Sequence, residues 1–266
     1  MLTTCNGYSV FYASGGQALD TTKSALVFVH GAGMDHTVWT LNSRYFARQG
    51  YAVLAFDLPG HGRSPGAPLT SIETMATWVL EVVRALGFER AVLAGHSMGS
   101  LVVLQATADA PEFARALVLL GFSYPMQVGA PLLEAAERNE HAAIDMLMVW
   151  GHDYSAQLGG NAVPGMGIVT PIQRLVERAA PGVLYTDLHA CHVYAAGLEA
   201  ARRVTCPVNL ILGDRDRMTP LKAARAFMPH FATVDLALLQ ACGHGMLEER
   251  PEETYQALAA AVARAR

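Results

Sequence analysis

The segment Gly95-His96-Ser97-Met98-Gly99 sets a hydroxyl side chain between two glycines at the junction of two different patterns. A continuous apolar run, Ala91 to Ala94, leads into it, and a helical run from Ser100 leads away. A strand that turns sharply into a helix forces its central residue into strained backbone geometry, and only small flanking residues let the chain pass itself. Gly95 and Gly99 supply that room, so Ser97 is expected to stand exposed at a sheet edge with a helix N-terminus beneath it, where negative charge is favoured. The chemistry this fits is nucleophilic catalysis. A serine hydroxyl is a poor nucleophile at neutral pH until a base takes its proton, and histidine is suited to take that proton and return it.

Serine chemistry of this kind needs a scaffold that holds distant residues together, and the apolar pattern supplies one. Ala25 to Val29, Val53 to Phe56, Ala91 to Ala94, Ala116 to Leu120 and Val208 to Leu212 are short unbroken apolar runs, as expected of strands buried on both faces of a parallel sheet. Between them lie helical patterns, clearest from Ile72 to Leu86, where Thr70-x-x-Glu73 predicts a capping box and Gly87 a stop. Strands alternating with helices imply a three-layer α/β domain with the functional edge at the strand C-terminal ends. The alternation breaks after Phe122, where methionines, aromatics and the Gly-rich stretch Gly159 to Gly167 lie among helical segments, and it resumes at Val208. Residues 1–121 and 204–266 are therefore expected to form the core, and 122–203 a helical cap with a mobile Gly-rich part over the site. A strand near Val234 to Leu238 and helices from Leu221 and Pro251 complete the core.

Four further motifs now fall in order around Ser97. They are His30-Gly31-Ala32-Gly33 after the first buried strand, Asp57 to Ser64 (Asp-Leu-Pro-Gly-His-Gly-Arg-Ser), Gly213 to Pro220 (Gly-Asp-Arg-Asp-Arg-Met-Thr-Pro), and Gly243-His244 followed by Glu248 and Pro251. With the elbow, this set resembles the α/β-hydrolase superfamily across nearly the whole chain outside the insertion. The resemblance implies a mostly parallel central sheet flanked by helices with a helical cap. It further implies a triad of Ser97, Asp216 and His244, and an oxyanion hole formed by the backbone N–H groups of Ala32 and Met98. Aspartate would occupy the elbow in the family's epoxide hydrolases and haloalkane dehalogenases, so Ser97 speaks against both. Asp214 is the competing acid and is expected to shape its loop instead.

Other conspicuous residues have plainer readings. His30, His61 and His96 are expected to tie loops together, as is Asp57. His189 and His192 have the spacing of two helix ligands but are read as part of an ordinary cap helix, and Cys242 as a buried thiol. Trp150 and Tyr154 are the cap residues expected to line a substrate pocket. No cofactor or metal is expected.

Composition excludes several classes. With 52% hydrophobic and 16% charged residues the chain is far from disorder. A net charge of −4 without runs of like charge speaks against nucleic acid. The scattered cysteines Cys5, Cys191, Cys206 and Cys242, and an N-terminus without a basic segment followed by an apolar stretch, lead us to expect a soluble cytoplasmic protein, not bound to a membrane. The expected activity is hydrolysis of a small-molecule carboxylic ester through an acyl-enzyme, with lactone, thioester and amide bonds open. The alternatives are a carbon-carbon bond hydrolase of ring-cleavage products, disfavoured because Met246 and Leu247 stand where a tryptophan often follows the histidine in those enzymes, and a small-molecule receptor on the same scaffold.

Overall fold

The computed structural model describes residues 1–5, 8–160 and 167–265. The central buried runs became strands β3 (Ala25–Val29), β4 (Ala52–Phe56), β5 (Ala91–His96), β6 (Ala114–Leu120) and β7 (Val208–Gly213), and the half-buried edge strand β8 (Val234–Leu239) follows, all parallel. Two antiparallel strands, β1 (Leu2–Cys5) and β2 (Tyr8–Ala13), extend the sheet at one edge, in the order β1-β2-β4-β3-β5-β6-β7-β8. The fold is α/β, a mostly parallel sheet flanked by helices.

Strand period explains why the runs are unbroken. Val27 and Val29 face one layer, with α2 (Ile72–Ala85) and α3 (Met98–Asp109), whereas Leu26 and Phe28 face α1 (Thr40–Arg48) on the other side, so neither face tolerates a polar residue. On that second side the Phe28 and Trp39 rings stack at 4.6 Å. The α2 cap differs from expectation: Ser71, not Thr70, is the N-cap, with extended backbone and a hydroxyl accepting from Thr74 N–H at 3.2 Å. Helix α3 is buried all round and carries no polar stripe, because other elements cover both its faces.

The insertion contributes α4 (Ala130–Glu137), α5 (His141–Gly151), α6 (Tyr154–Gln157), α7 (Val169–Glu177), α8 (Val183–Val193) and α9 (Gly197–Arg203). Its first part has a small apolar cluster of its own, built on Leu132, Leu147, Met148, Ile172, Val176 and Leu188, against which Ala32, Met34 and Met218 of the core loops pack. Ala200 and Ala201 of α9 instead join the main core. Of the Gly-rich stretch, residues 161–166 lie outside the described residues. The chain closes with α10 (Leu221–Phe227), α11 (Met246–Glu249) and α12 (Pro251–Ala263). No helix among the described residues is long and apolar enough to cross a membrane, and Cys5, Cys191, Cys206 and Cys242 are buried and free.

Candidate active site

Ser97 sits between β5 and α3 with φ 54° and ψ −120°, a conformation that a side chain adopts only under constraint. The constraint is visible in its neighbours. A Cβ on Gly95 would lie 2.0 Å from the Gly99 carbonyl oxygen, and one on Gly99 would lie 2.2 Å from that of Val29, so neither position accepts any other residue. Met98 is the first residue of α3, and its N–H is among the first-turn donors with no intrahelical acceptor. The Ala32 loop follows β3 and lies against the same turn. Its Gly31 is so close that an added Cβ would meet Ser97 Cβ at 3.3 Å.

The two loops that end β7 and β8 bring the acid and the histidine together. Asp216 Oδ2 is 2.7 Å from His244 Nδ1, and both side chains are buried. Asp216 also accepts from the N–H groups of Met218 and Thr219 at 2.8 Å each and from the Thr219 hydroxyl at 2.5 Å. Burial works to raise this carboxyl, but the His244 charge and the bonds from His244 and Thr219 outweigh it and leave it lowered to about 2. An ionised carboxylate only accepts, so Nδ1 carries the imidazole proton and Nε2 presents a lone pair. His244 Nε2 is buried and takes no hydrogen bond among the described residues. Asp214 is placed differently: it is exposed, and its carboxylate accepts from Cys242 N–H at 3.1 Å, latching the acid loop to the histidine loop.

Two chambers meet at Ser97 and His244. One, of about 230 Å³, extends past Met126, Val128, Leu132 and Trp150 to Arg217. The other, of about 50 Å³, is walled by Met34, Leu147, Met148, Ile172 and Val176. Ala32 and Met218 border both. Three larger cavities among the described residues, of about 700, 570 and 480 Å³, contain neither Ser97 nor His244, so the site does not coincide with the largest hollow. Tyr154 requires correction: it is 72% exposed and borders neither chamber. Asp153, buried and bonded to Ser155 and Arg215, fixes the start of α6 and turns the next residue outward.

The remaining histidines are structural neighbours of this machinery. His96 Nε2 donates to the His244 carbonyl at 2.9 Å, and burial drives this ring down to about 3. His30 Nδ1 donates to Gly31 O at 2.9 Å while its Nε2 accepts from Leu58 N–H at 3.2 Å. Burial, with the His61 charge, lowers it to about 4. His189 and His192 do not converge, since His192 accepts from Val128 N–H and the His189 ring lies against Tyr185. Asp35, His36 and Asp57 come together, but Asp57 is taken up by the N–H groups of His36 and Arg63 and by the His36 ring, and Asp35 by Thr37 and Arg178, which describes a loop tie. Sequence reasoning missed Thr219, which a bare threonine in the acid loop does not advertise, and Asp187, which no local pattern marks.

The profile of the alpha/beta hydrolase family matches residues 26–257, most of the chain and all of the loops just described. The chain belongs to that family. Among curated relatives, pimeloyl-[acyl-carrier protein] methyl ester esterase of Aromatoleum aromaticum is 30% identical over 86% of this chain and 94% of its own length. The (E)-2-((N-methylformamido)methylene)succinate hydrolase of Acinetobacter baylyi is 30% identical over 46% of this chain, and here the chain spans about half the relative's length, 47%. The match to an acetyltransferase component of the acetoin cleaving system of Cupriavidus necator spans 28% of that protein. Solved structures share the fold: a thermophilic esterase from Thermogutta terrifontis at TM-score 0.84 and 18% identity, covering 99% of this chain and 97% of the other, and the enol-lactonase of Burkholderia xenovorans LB400 at 0.83 and 20%, covering 99% and 100%.

The lowered Asp216 carboxyl has a consequence for stability. A carboxylate near 3.9 when unfolded and about 2 when folded stabilises the native state by about 2 to 3 kcal/mol above pH 5, and that contribution is lost as pH falls from about 5 towards 2. In urea titrations across this range, the stability difference between wild type and Asp216→Asn should shrink by about that amount on acidification. Parallel curves for the two proteins would contradict an Asp216 carboxyl held below its ordinary range.

Proposed function

We propose that this hydrolase is a serine esterase that cleaves a small-molecule carboxylic ester through an acyl-enzyme. The observation that carries the reading is His244: its Nδ1 is held by an ionised Asp216, its Nε2 has no hydrogen-bond partner among the described residues, and the residue lines the same two chambers as Ser97. In this reading His244 Nε2 takes the Ser97 proton as Oγ bonds to the ester carbonyl carbon. The carbonyl oxygen becomes an oxyanion received by the N–H groups of Ala32 and Met98. Collapse breaks the bond to the alcohol oxygen, which leaves with the proton from His244. Water then repeats the sequence on the acyl-enzyme, releasing the acid and restoring Ser97. Ester hydrolases among the relatives support the bond type.

The unequal chambers predict the shape of the substrate. An ester bound at Ser97 has one arm of a few heavy atoms in the small chamber and a longer arm along Trp150 in the larger one. Turnover of a p-nitrophenyl ester series, with a burst of one equivalent of p-nitrophenol when deacylation limits, tests the reading. Tight binding of the esters with negligible turnover would replace it with a receptor. Trp150→Ala should move the preference towards longer chains by roughly 3- to 10-fold in relative kcat/KM, since each buried methylene is worth about 0.8 kcal/mol. Tyr154→Ala should leave the preference unchanged. Equal effects of the two variants would contradict the assignment of the larger chamber.

A further inference from the structure

The cap touches the reacting centre through more than its apolar wall. Asp187, in the middle of α8, is fully buried, yet its carboxylate leaves the cap and enters the core. One oxygen, Oδ2, accepts from Gly33 N–H at 2.8 Å and from His61 Nε2 at 2.8 Å. Gly33 directly follows Ala32, whose N–H is the proposed oxyanion donor. Leu184, one turn earlier on the same face of α8, closes over the same loop: a Cβ on Gly33 would meet its Cδ1 at 3.0 Å. A turn encloses Ala32 and Gly33, closed by Met34 N–H donating to Gly31 O at 3.2 Å. The Ala32 peptide is thus held between a turn inside the loop and an acceptor supplied from 154 residues away.

His61 makes that acceptor tolerable beside a developing negative charge. Its Nδ1 faces the Pro59 carbonyl at 3.0 Å while its Nε2 faces Asp187, so both ring nitrogens meet acceptors and the ring carries two protons. Burial works to lower His61, but the Asp187 charge and hydrogen bond outweigh it and hold it above the ordinary histidine range. Asp187 and His61 together form a buried neutral pair whose geometry is usable at one place, the Gly33 N–H. The second Asp187 oxygen is buried without a partner among the described residues, a desolvation cost that a merely adhesive contact would not carry.

We propose that Asp187 is a positioning residue of the active site, which fixes the oxyanion loop through Gly33 and makes catalytic competence depend on the seating of the cap. This rests on the esterase reading above. The histidine loop is braced from the cap in the same way, since the Gly151 carbonyl at the end of α5 accepts from His244 N–H at 2.8 Å and Gly245 N–H at 3.0 Å. The cap therefore holds two of the loops that meet at Ser97, as well as covering it.

The test measures kcat and KM for Asp187→Ala and Asp187→Asn on one ester, with the Ki of a trifluoromethyl ketone that forms a serine-bound oxyanion. Asp187→Ala leaves Gly33 without its acceptor and should lower kcat by about 10- to 100-fold, less than removal of an oxyanion donor outright, with KM within about twofold and Ki raised by the same factor as kcat falls. Asp187→Asn keeps an acceptor for Gly33 but loses the charge that pairs with His61, so it should recover most of the loss while staying about two- to threefold below wild type. If the alanine variant does not fold, the asparagine variant decides: a few-fold fall in kcat matched in Ki supports the proposal, and unchanged kcat overturns it. A folded Asp187→Ala with kcat within twofold of wild type, or with a change in KM while Ki stays fixed, also overturns it. Each value is a ratio to active wild type, so a failure of the esterase reading appears as an inactive wild type and a failure of this proposal as a ratio near one.

Discussion

Replacing Ser97 by alanine is expected to abolish ester hydrolysis, with kcat falling by on the order of 10^4- to 10^6-fold and the melting temperature nearly unchanged. The size follows from what is removed: without Oγ there is no covalent intermediate, and only binding and the oxyanion donors remain to accelerate attack by water. The small effect on stability follows from the site. Ser97 Oγ takes part in no hydrogen bond among the described residues, and alanine places the same Cβ in the same strained turn. Retention of more than a few per cent of wild-type turnover by a folded Ser97→Ala protein would move the nucleophile elsewhere.

The second large effect separates two aspartates one residue apart. Asp216→Asn keeps the shape of the orienting side chain, but an amide favours the wrong imidazole tautomer, and a loss of about 10^4-fold in kcat is expected with the protein folded. Asp214→Asn should keep substantial activity and lose stability, because Asp214 serves the Cys242 N–H and stands away from the imidazole. The two variants are compared on the same ester, with folding checked by circular dichroism. A larger kcat loss for Asp214→Asn than for Asp216→Asn would transfer the role.

What could be seen in the sequence was whatever local chemistry forces. The central strands were legible because burial on both faces leaves an unbroken apolar run. β1 and β2 were not: β1, half exposed at the sheet edge, carries threonines and resembles a loop, and β2 beside it, though buried at Val10, Phe11 and Tyr12, is broken by Ser9 and so lacks an unbroken apolar run. The elbow was legible because two glycines are required there: a Cβ on either would fall 2.0 or 2.2 Å from a backbone oxygen. The acid loop was legible through its Gly213 turn, closed by Asp216 N–H to Gly213 O at 3.4 Å. Trp150 and Tyr154 could not be told apart, since which face of a cap residue meets the site is decided by packing four residues and one helix break later. Asp187 was invisible for the same reason, being a lone acid in a helix whose partners Gly33 and His61 lie in a distant part of the chain. Even the helix cap slipped by one, from Thr70 to Ser71, because adjacent hydroxyl residues offer equivalent chemistry and only the backbone geometry selects between them.

The central claim is that Ser97 Oγ becomes covalently acylated, and intact-mass and peptide mass spectrometry after treatment with a p-nitrophenyl alkylphosphonate tests it most directly. The phosphonate should add one equivalent, on the peptide carrying Ser97, and ester turnover should fall in step with the fraction labelled. Full ester turnover in protein that carries the adduct on Ser97, or loss of turnover with the adduct on another residue, would contradict it.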